Sequence, residues 1–129
     1  MGDHPSRVRR RIVPDDAQVQ IILGSLLGTA RIEGAPGERC MRVTHEIARE
    51  GYARWKYERL GTLAADPPRV SEDGVAFTTI THPIFDDLAA LRRRTMTRLL
   101  APLGLAVWMS DNGRIELRAD VFVPLREAA

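Results

Sequence analysis

Hydrophobic residues along this chain form two nearly continuous runs, separated by segments in which polar and apolar positions alternate. The first run, Gln20 to Glu33, reads QIILGSLLGTARIE, and periodicity alone does not separate helix from strand within it. Asp15 and Asp16 precede the run as capping candidates, and Pro14 stops any helix from continuing upstream. We therefore predict a buried helix that begins near Ala17.

Two glycines, Gly24 and Gly28, lie one helical turn apart on the same face of this predicted helix. Glycine inside a helix costs about 1 kcal/mol relative to alanine, so a pair at this spacing needs a reason. Close approach by the backbone of a second helix supplies one, and we predict a helix-packing interface at both positions. Two incidental glycines in a tightly packed core helix remain the alternative.

The middle of the chain predicts two hairpins and two helices. Turn residues at 34–37 and 72–74 separate the strand pairs. The predicted strands cover 31–33, 39–44, 69–71 and 75–81. Amphipathic helices are predicted over 46–63, capped by Thr44, and over 84–100, where His82 serves as a capping or structural residue. Lys56 is expected on the solvated face of the first of these helices.

The second continuous run, Leu105 to Gly113, reads LAVWMSDNG and follows Pro102 and Gly104. It is about nine residues long, is apolar like the first run and also ends in small polar residues, so we predict a second helix of the same kind. The segment 114–124 then alternates, which predicts one strand or two short strands.

Taken together, the two runs resemble the motifs of the LAGLIDADG homing endonucleases, in particular the single-chain, two-motif type. Ile22 to Ala30 (ILGSLLGTA) resembles the first motif and Leu105 to Gly113 the second. Weaker matches between the motifs are at Thr44, His45, Tyr52, Trp55, Lys56, Leu60, Phe77, Thr78, Thr79, His82, Pro83 and Phe85. The resemblance covers residues 17–122 and implies an α+β fold, an αββαββα repeat followed by a truncated second repeat.

The expected organisation is a flexible basic arm over residues 1–14 and a single domain over 15–129. Within the domain, the first repeat covers about 17–100 and the start of the second about 101–124. A duplicated protein without its second half would have this pattern. A protomer completed by a partner chain would have it too, and the resemblance then implies a homodimer through the motif helices.

Composition narrows the possibilities only slightly. The 129 residues suffice for one core, and the net charge of +2 comes from a basic set that is almost entirely arginine. A single cysteine, Cys40, excludes an internal disulfide framework and a multi-cysteine zinc site. No run is long enough for a membrane span. The lone cysteine indicates a reducing compartment, so we expect a cytoplasmic protein, associated with the nucleoid if it binds DNA.

In the family that the chain resembles, the strand pairs form a concave sheet that lies in the DNA major groove. The resemblance therefore implies double-stranded DNA as partner. The contact candidates are Arg31, Arg39, Arg42, Thr79, Arg114 and Arg118, joined by Arg9 and Arg10 of the arm. Exposed charges on ordinary hairpins are the alternative reading of the same residues.

Cleavage in this family requires an acidic residue near the end of each motif, and the two acids together hold Mg²⁺. Here those positions are occupied by Thr29 and Asn112, which are neutral. We expect a DNA-binding, catalytically degenerate relative. One alternative is an active Mg²⁺-dependent endonuclease that uses Asp111 as a replacement acid. A second alternative is an interaction domain that does not bind DNA.

Overall fold

The computed structural model describes residues 12–113, 115–117 and 122–124. Five α-helices and six strands are present in this part of the chain. The helices are α1 (Asp16–Leu27), α2 (Glu50–Leu60), α3 (Pro83–Ala89), α4 (Arg93–Arg98) and α5 (Pro102–Asp111). The strands are β1 (Arg31–Glu33), β2 (Cys40–His45), β3 (Arg69–Ser71), β4 (Gly74–Thr78), β5 (Ile115–Leu117) and β6 (Phe122–Pro124). The predicted α+β fold is confirmed.

The first helix begins where its capping residues predict. Asp15 has extended backbone dihedrals, and its carboxylate accepts a hydrogen bond of 2.7 Å from the Gln18 backbone N–H. The Gln18 side chain in turn accepts from the Asp15 backbone N–H, which completes a capping box. The helix ends at Leu27, and Gly28 is its C-cap.

Strands β1 to β4 form one antiparallel sheet in the order β1-β2-β4-β3. Both predicted hairpins are therefore present, β1 with β2 and β3 with β4. Side chains alternate between two faces of the sheet. Met41 and Val43 of β2 and Phe77 of β4 are buried on the inner face, against the helices. The outer face is half-buried or exposed.

One core joins the helices to the inner face of the sheet. Ile22 of α1, Leu60 of α2, Phe85 of α3 and Val107 of α5 are all fully buried in it. His82 fixes the start of α3: its Nδ1 accepts from the Ile84 backbone N–H at 3.0 Å, and its Nε2 lies 2.7 Å from the Ile12 carbonyl oxygen. The prediction of a capping histidine is confirmed.

Two predicted helices differ from the structure. The single helix over 84–100 is broken into α3 and α4, because Arg92 adopts an extended conformation (φ −73°, ψ 149°) between them. The break lets Arg93 reach back to the carboxyl end of α1. The helix over 46–63 is α-helical only at 50–60, with 3₁₀ turns on both sides, and Thr44 lies in β2 and does not cap it.

The second apolar run forms α5 as predicted, and two short strands follow it. Strands β5 and β6 pair antiparallel, so α5, β5 and β6 repeat the order of α1, β1 and β2. None of the helices in the described part of the chain is long and apolar enough to cross a membrane. The arm predicted over residues 1–14 falls mostly outside the described residues.

Candidate functional site

The two motif helices pack against each other at their glycines. A Cβ atom added to Gly24 would collide with the Gly104 carbonyl oxygen and lie 2.8 Å from the Val107 Cβ. A Cβ added to Gly28 would collide with the Asp111 side chain. Because a larger residue would meet backbone at Gly24 and the Asp111 side chain at Gly28, glycine permits this close approach of α1 and α5.

Asp111 is the last residue of α5, and its side chain is buried where α5 meets α1 and α2. Its Oδ1 accepts hydrogen bonds from the Tyr52 hydroxyl at 2.7 Å and the Lys56 ammonium at 2.9 Å. Its Oδ2 lies 3.1 Å from the same Lys56 nitrogen and 3.3 Å from the Thr29 backbone nitrogen. Both side chains of the Lys56–Asp111 ion pair have no solvent exposure.

The charge state of Lys56 follows from burial. Removal from water lowers the pKa of its ammonium to about 8, against the opposing effect of Asp111. At neutral pH the side chain is still protonated, so the ion pair forms. Burial, followed by the charge of Asp111, raises the pKa of Tyr52 well above its usual range, so Tyr52 acts as a hydrogen-bond donor.

A second set of contacts fastens α5 to the segment before α2. Arg49 donates to the Ser110 carbonyl oxygen at 2.6 Å and to the Ser110 hydroxyl at 2.7 Å, and its guanidinium lies 4.5 Å from the centre of the Tyr52 ring. The His45 Nε2 is buried, lies 3.9 Å from Asp111 Oδ1 and has no hydrogen-bond partner among the described residues. Burial, with the charge of Lys56, lowers the pKa of His45 to about 4.

An open cleft of about 520 Å³ lies at the carboxyl ends of the two motif helices. The helix ends, the end of β2 and the β3–β4 turn contribute to it. Its lining residues are Thr29, Thr44, His45, Glu46, Arg49, Asp73, Asp111, Asn112 and Gly113. Thr29 and Asn112 are both exposed, so the two motif-end positions face the same solvent-filled space.

The outer face of the sheet beside this cleft carries a row of polar side chains across three strands. Arg31 of β1 lies opposite Arg42 of β2, which lies opposite Thr78 of β4. Arg31 pairs with the neighbouring Glu33 at 3.0 Å on the exposed surface. Arg69 of β3 lies opposite Ala76 on the same side of the sheet. This face thus carries three arginines, Arg31, Arg42 and Arg69, together with Glu33.

Comparison with known proteins matches residues 19–125 to the model of the LAGLIDADG DNA endonuclease family. This chain belongs to that family. Similar curated proteins include three that carry the name Protein RecA. The chain is 31% identical to the Mycolicibacterium flavescens protein, and the match covers 81% of this chain and 27% of that protein. It is 29% identical to the Mycolicibacterium fallax protein, and this match covers 92% of this chain and 31% of that protein. The chain is also 29% identical to the Mycobacterium shimoidei protein, and this match covers 81% of this chain and 27% of that protein.

The chain thus spans less than a third of the length of these three relatives. The family model, in contrast, covers both motif helices and the sheet of this chain. The site residues are therefore compared with the motifs of the LAGLIDADG family.

The residues at the LAGLIDADG motif ends do not fit a Mg²⁺ site. Mg²⁺ is held by carboxylates, whereas Thr29 and Asn112 contribute only neutral oxygens. The carboxylate of Asp111 is already occupied by the Lys56 ammonium, which would repel a divalent cation. Within the described residues, no group of three or more His, Cys, Asp or Glu side chains could hold a metal ion.

Several site predictions are corrected by the placement of the side chains. The carboxylate of Asp111, the candidate replacement acid, is paired with Lys56, and its side chain has no solvent exposure. Thr79 is 3% exposed on the inner side, where its hydroxyl accepts from the Met41 backbone N–H, so its neighbour Thr78 occupies the outer face. Arg39 precedes β2, and its Nε lies 3.7 Å from the Asp86 carboxylate, away from the arginine row.

The remaining DNA-contact candidates have no described side chain. Arg9, Arg10, Arg114 and Arg118 lie outside the described residues. The proposed contact set is therefore carried by Arg31 and Arg42, the two candidates that share the outer face.

Lys56 is the residue that sequence reasoning missed, since it was expected on a solvated face. It is fully buried because its helical spacing places it between Tyr52 and Leu60, four residues from each, on the stripe that faces the core. The same spacing was visible in the sequence. A lone lysine among nineteen basic residues, on the apolar stripe of a helix, is the signal that could have revealed it.

Proposed function

We propose that this LAGLIDADG-family chain binds double-stranded DNA through the outer face of its β1–β4 sheet and does not cleave it. The observation that carries the proposal is the chemistry at the motif-helix ends. The two motif-end positions that face the cleft, Thr29 and Asn112, are neutral. The acid next to Asn112 in the chain, Asp111, is paired with the buried Lys56.

DNA binding is supported by the row formed by Arg31, Arg42 and Thr78. Guanidinium groups suit both phosphate oxygens and guanine edges, and a sheet face of this size can present them to a groove. The ion pair between Arg31 and Glu33 is no obstacle, because an exposed pair contributes only about 0–1 kcal/mol and exchanges readily for a phosphate. The outer face is basic, which disfavours an interaction domain that avoids DNA.

The absence of cleavage follows from the same contacts. A hydrolytic site needs a base or a metal-bound water near the scissile phosphate. Thr29 and Asn112 cannot accept a proton at neutral pH, and freeing Asp111 for that role would leave the Lys56 ammonium buried without a partner. This cost disfavours the alternative in which Asp111 acts as a replacement catalytic acid.

The binding half of the proposal is tested by measuring the affinity for a short random-sequence duplex over a range of salt concentrations. The Arg31→Ala/Arg42→Ala variant should reduce the salt dependence of log K by about 1.8, since each lost phosphate contact removes about 0.9. The charge-matched control is Arg54→Ala/Arg98→Ala, which changes two exposed arginines on α2 and α4. Equal behaviour of the two variants would argue against the sheet face.

A further inference from the structure

We propose that Arg92 and Arg94, on either side of Arg93 at the start of α4, form a second phosphate-contacting patch beside the motif-helix ends. The proposal rests on the DNA-binding function proposed above and adds to it a second contact surface for the same duplex. The partner is the phosphodiester backbone, because these side chains stand on a helix outside the sheet face that would enter a groove.

The position of the patch is fixed by Arg93. Its Nη2 donates a 2.6 Å hydrogen bond to the carbonyl oxygen of Leu27, the last residue of α1. Its guanidinium also lies 5.7 Å from the centre of the Trp108 ring on α5. Leu27 is followed by the motif end at Thr29 and then by the strand that begins with Arg31. The start of α4 is thus held at the same end of the molecule as the cleft.

The other end of α4 confirms this orientation. The Gln20 side chain, near the middle of α1, donates to the Leu99 carbonyl oxygen at 3.0 Å and accepts from the Ala101 backbone N–H at 2.7 Å. Helix α4 therefore runs antiparallel to α1. Arg92 and Arg94 lie at the cleft end, whereas Arg98 lies toward the opposite end.

No acidic side chain among the described residues neutralises the charges of the patch. Arg92 and Arg94 are exposed, and neither side chain makes an ion pair or hydrogen bond with any other residue of the described part of the chain. Arg92 occupies the N-cap position of α4, but its side chain makes no capping hydrogen bond. Basic residues at the first turn oppose the helix dipole, so they do not serve the stability of α4.

An external anion would satisfy these groups, and a duplex on the outer sheet face would bring phosphates to this end of the molecule. Arg93 cannot take this role, since its guanidinium is engaged with Leu27 and Trp108. Its flanking residues are free to turn toward solvent. Arginine can form a bidentate contact with a phosphate, so two such side chains would add two backbone contacts to those of the sheet.

The test compares Arg92→Ala/Arg94→Ala with the charge-matched control Arg54→Ala/Arg98→Ala in titrations with a short random-sequence duplex. Removing two phosphate contacts should reduce the slope of log K against log salt concentration by about 1.8. Between about 50 and about 200 mM salt, the variant should therefore lose about tenfold less affinity than the wild-type protein. The control should change this slope much less. Arg92→Lys/Arg94→Lys keeps both charges and should restore most of it.

Three outcomes separate the proposal from the function on which it rests. A reduced slope in the alanine variant alone, restored by lysine, supports the patch. A slope equal to that of the control, with the wild-type protein still binding DNA, overturns the patch and leaves the sheet-face proposal intact. Absence of salt-dependent binding by the wild-type protein overturns both. As a control for folding, the alanine variant should have the same thermal unfolding temperature as the wild-type protein.

Discussion

The two motif helices have the same place in their repeats but use equivalent positions differently. When ILGSLLGTA is aligned with LAVWMSDNG, Gly24 corresponds to Val107 and Gly28 to Asp111. These equivalent residues face each other across the helix pair. The glycines of α1 thus leave space between the helices, and the larger Val107 and Asp111 side chains of α5 occupy it.

This asymmetry explains how Asp111 comes to be buried. Gly28 leaves room for the Asp111 side chain, which turns toward α2 and meets Lys56 and Tyr52. The next residue, Asn112, faces the open cleft. Neighbouring positions at the end of one helix therefore differ: the Asp111 side chain makes buried contacts with Lys56 and Tyr52, and Asn112 is exposed at the motif end.

The largest expected effect comes from breaking the Lys56–Asp111 pair. Lys56→Met leaves the Asp111 carboxylate buried without its cation and should destabilise the protein by about 3–5 kcal/mol, as buried pairs do when one partner is removed. Asp111→Leu should have a similar effect. Chemical denaturation of both single variants and the double variant measures their coupling. Additive losses in the double variant would show that the two side chains do not act as a pair.

The second-largest effect is expected at Gly28, where α1 has glycine and the equivalent residue of α5 is Asp111. Gly28→Ala should cost about 1–3 kcal/mol, since its methyl group would displace the Asp111 side chain. The matched control is Gly51→Ala in α2, where nothing lies within 4 Å of the added Cβ. Replacing glycine by alanine inside a helix should stabilise that variant by about 0.5–1 kcal/mol. Equal melting temperatures of the two variants would rule out the packing explanation.

The third effect concerns His45, the buried neighbour of Asp111. Its pKa is about 4 in the folded protein and near 6.5 in the unfolded chain, so the unfolded state binds more protons between these values. Stability should fall as the pH decreases from about 6.5 to about 4, with a limiting slope of about 1.4 kcal/mol per pH unit for one proton. Denaturation curves at several pH values should show a flatter profile for His45→Gln. An unchanged profile would contradict a role for His45.

The smallest effect is expected at the motif-end position itself. Asn112→Ala should change stability by no more than about 0.5 kcal/mol, because the side chain is exposed in the cleft. Comparison with Asp111→Leu in the same denaturation assay directly measures the difference between the two adjacent residues. A loss of several kcal/mol in Asn112→Ala would mean that this residue has a structural role that its exposure does not indicate.

The local patterns of the sequence predicted most of the fold. The capping residues before α1, the turn residues of both hairpins and the glycine pair each depend on short-range chemistry, which a sequence displays directly. The break at Arg92 escaped prediction because neither glycine nor proline marks it; it is associated with the contact from Arg93 to the distant Leu27. Local propensity contains no information on such a contact.

The site was predicted less completely for the same reason. The pairing of Lys56 with Asp111 joins residues 55 positions apart, and only the tertiary structure brings them together. Thr79 was assigned to the wrong face because a shift of one residue in a strand exchanges the two faces of a sheet. Arg31 and Arg42 were placed on a shared face by strand alternation, and their register supports it.

The central claim is that the acid beside the motif end serves the fold and not phosphodiester cleavage. The most direct test incubates the wild-type protein with supercoiled plasmid DNA, with and without Mg²⁺, under salt conditions in which a gel shift shows binding. The account predicts a shifted plasmid whose strands remain intact in both buffers. Mg²⁺-dependent nicking by the purified protein would contradict it and would show that Thr29, Asn112 and Asp111 support catalysis as they stand.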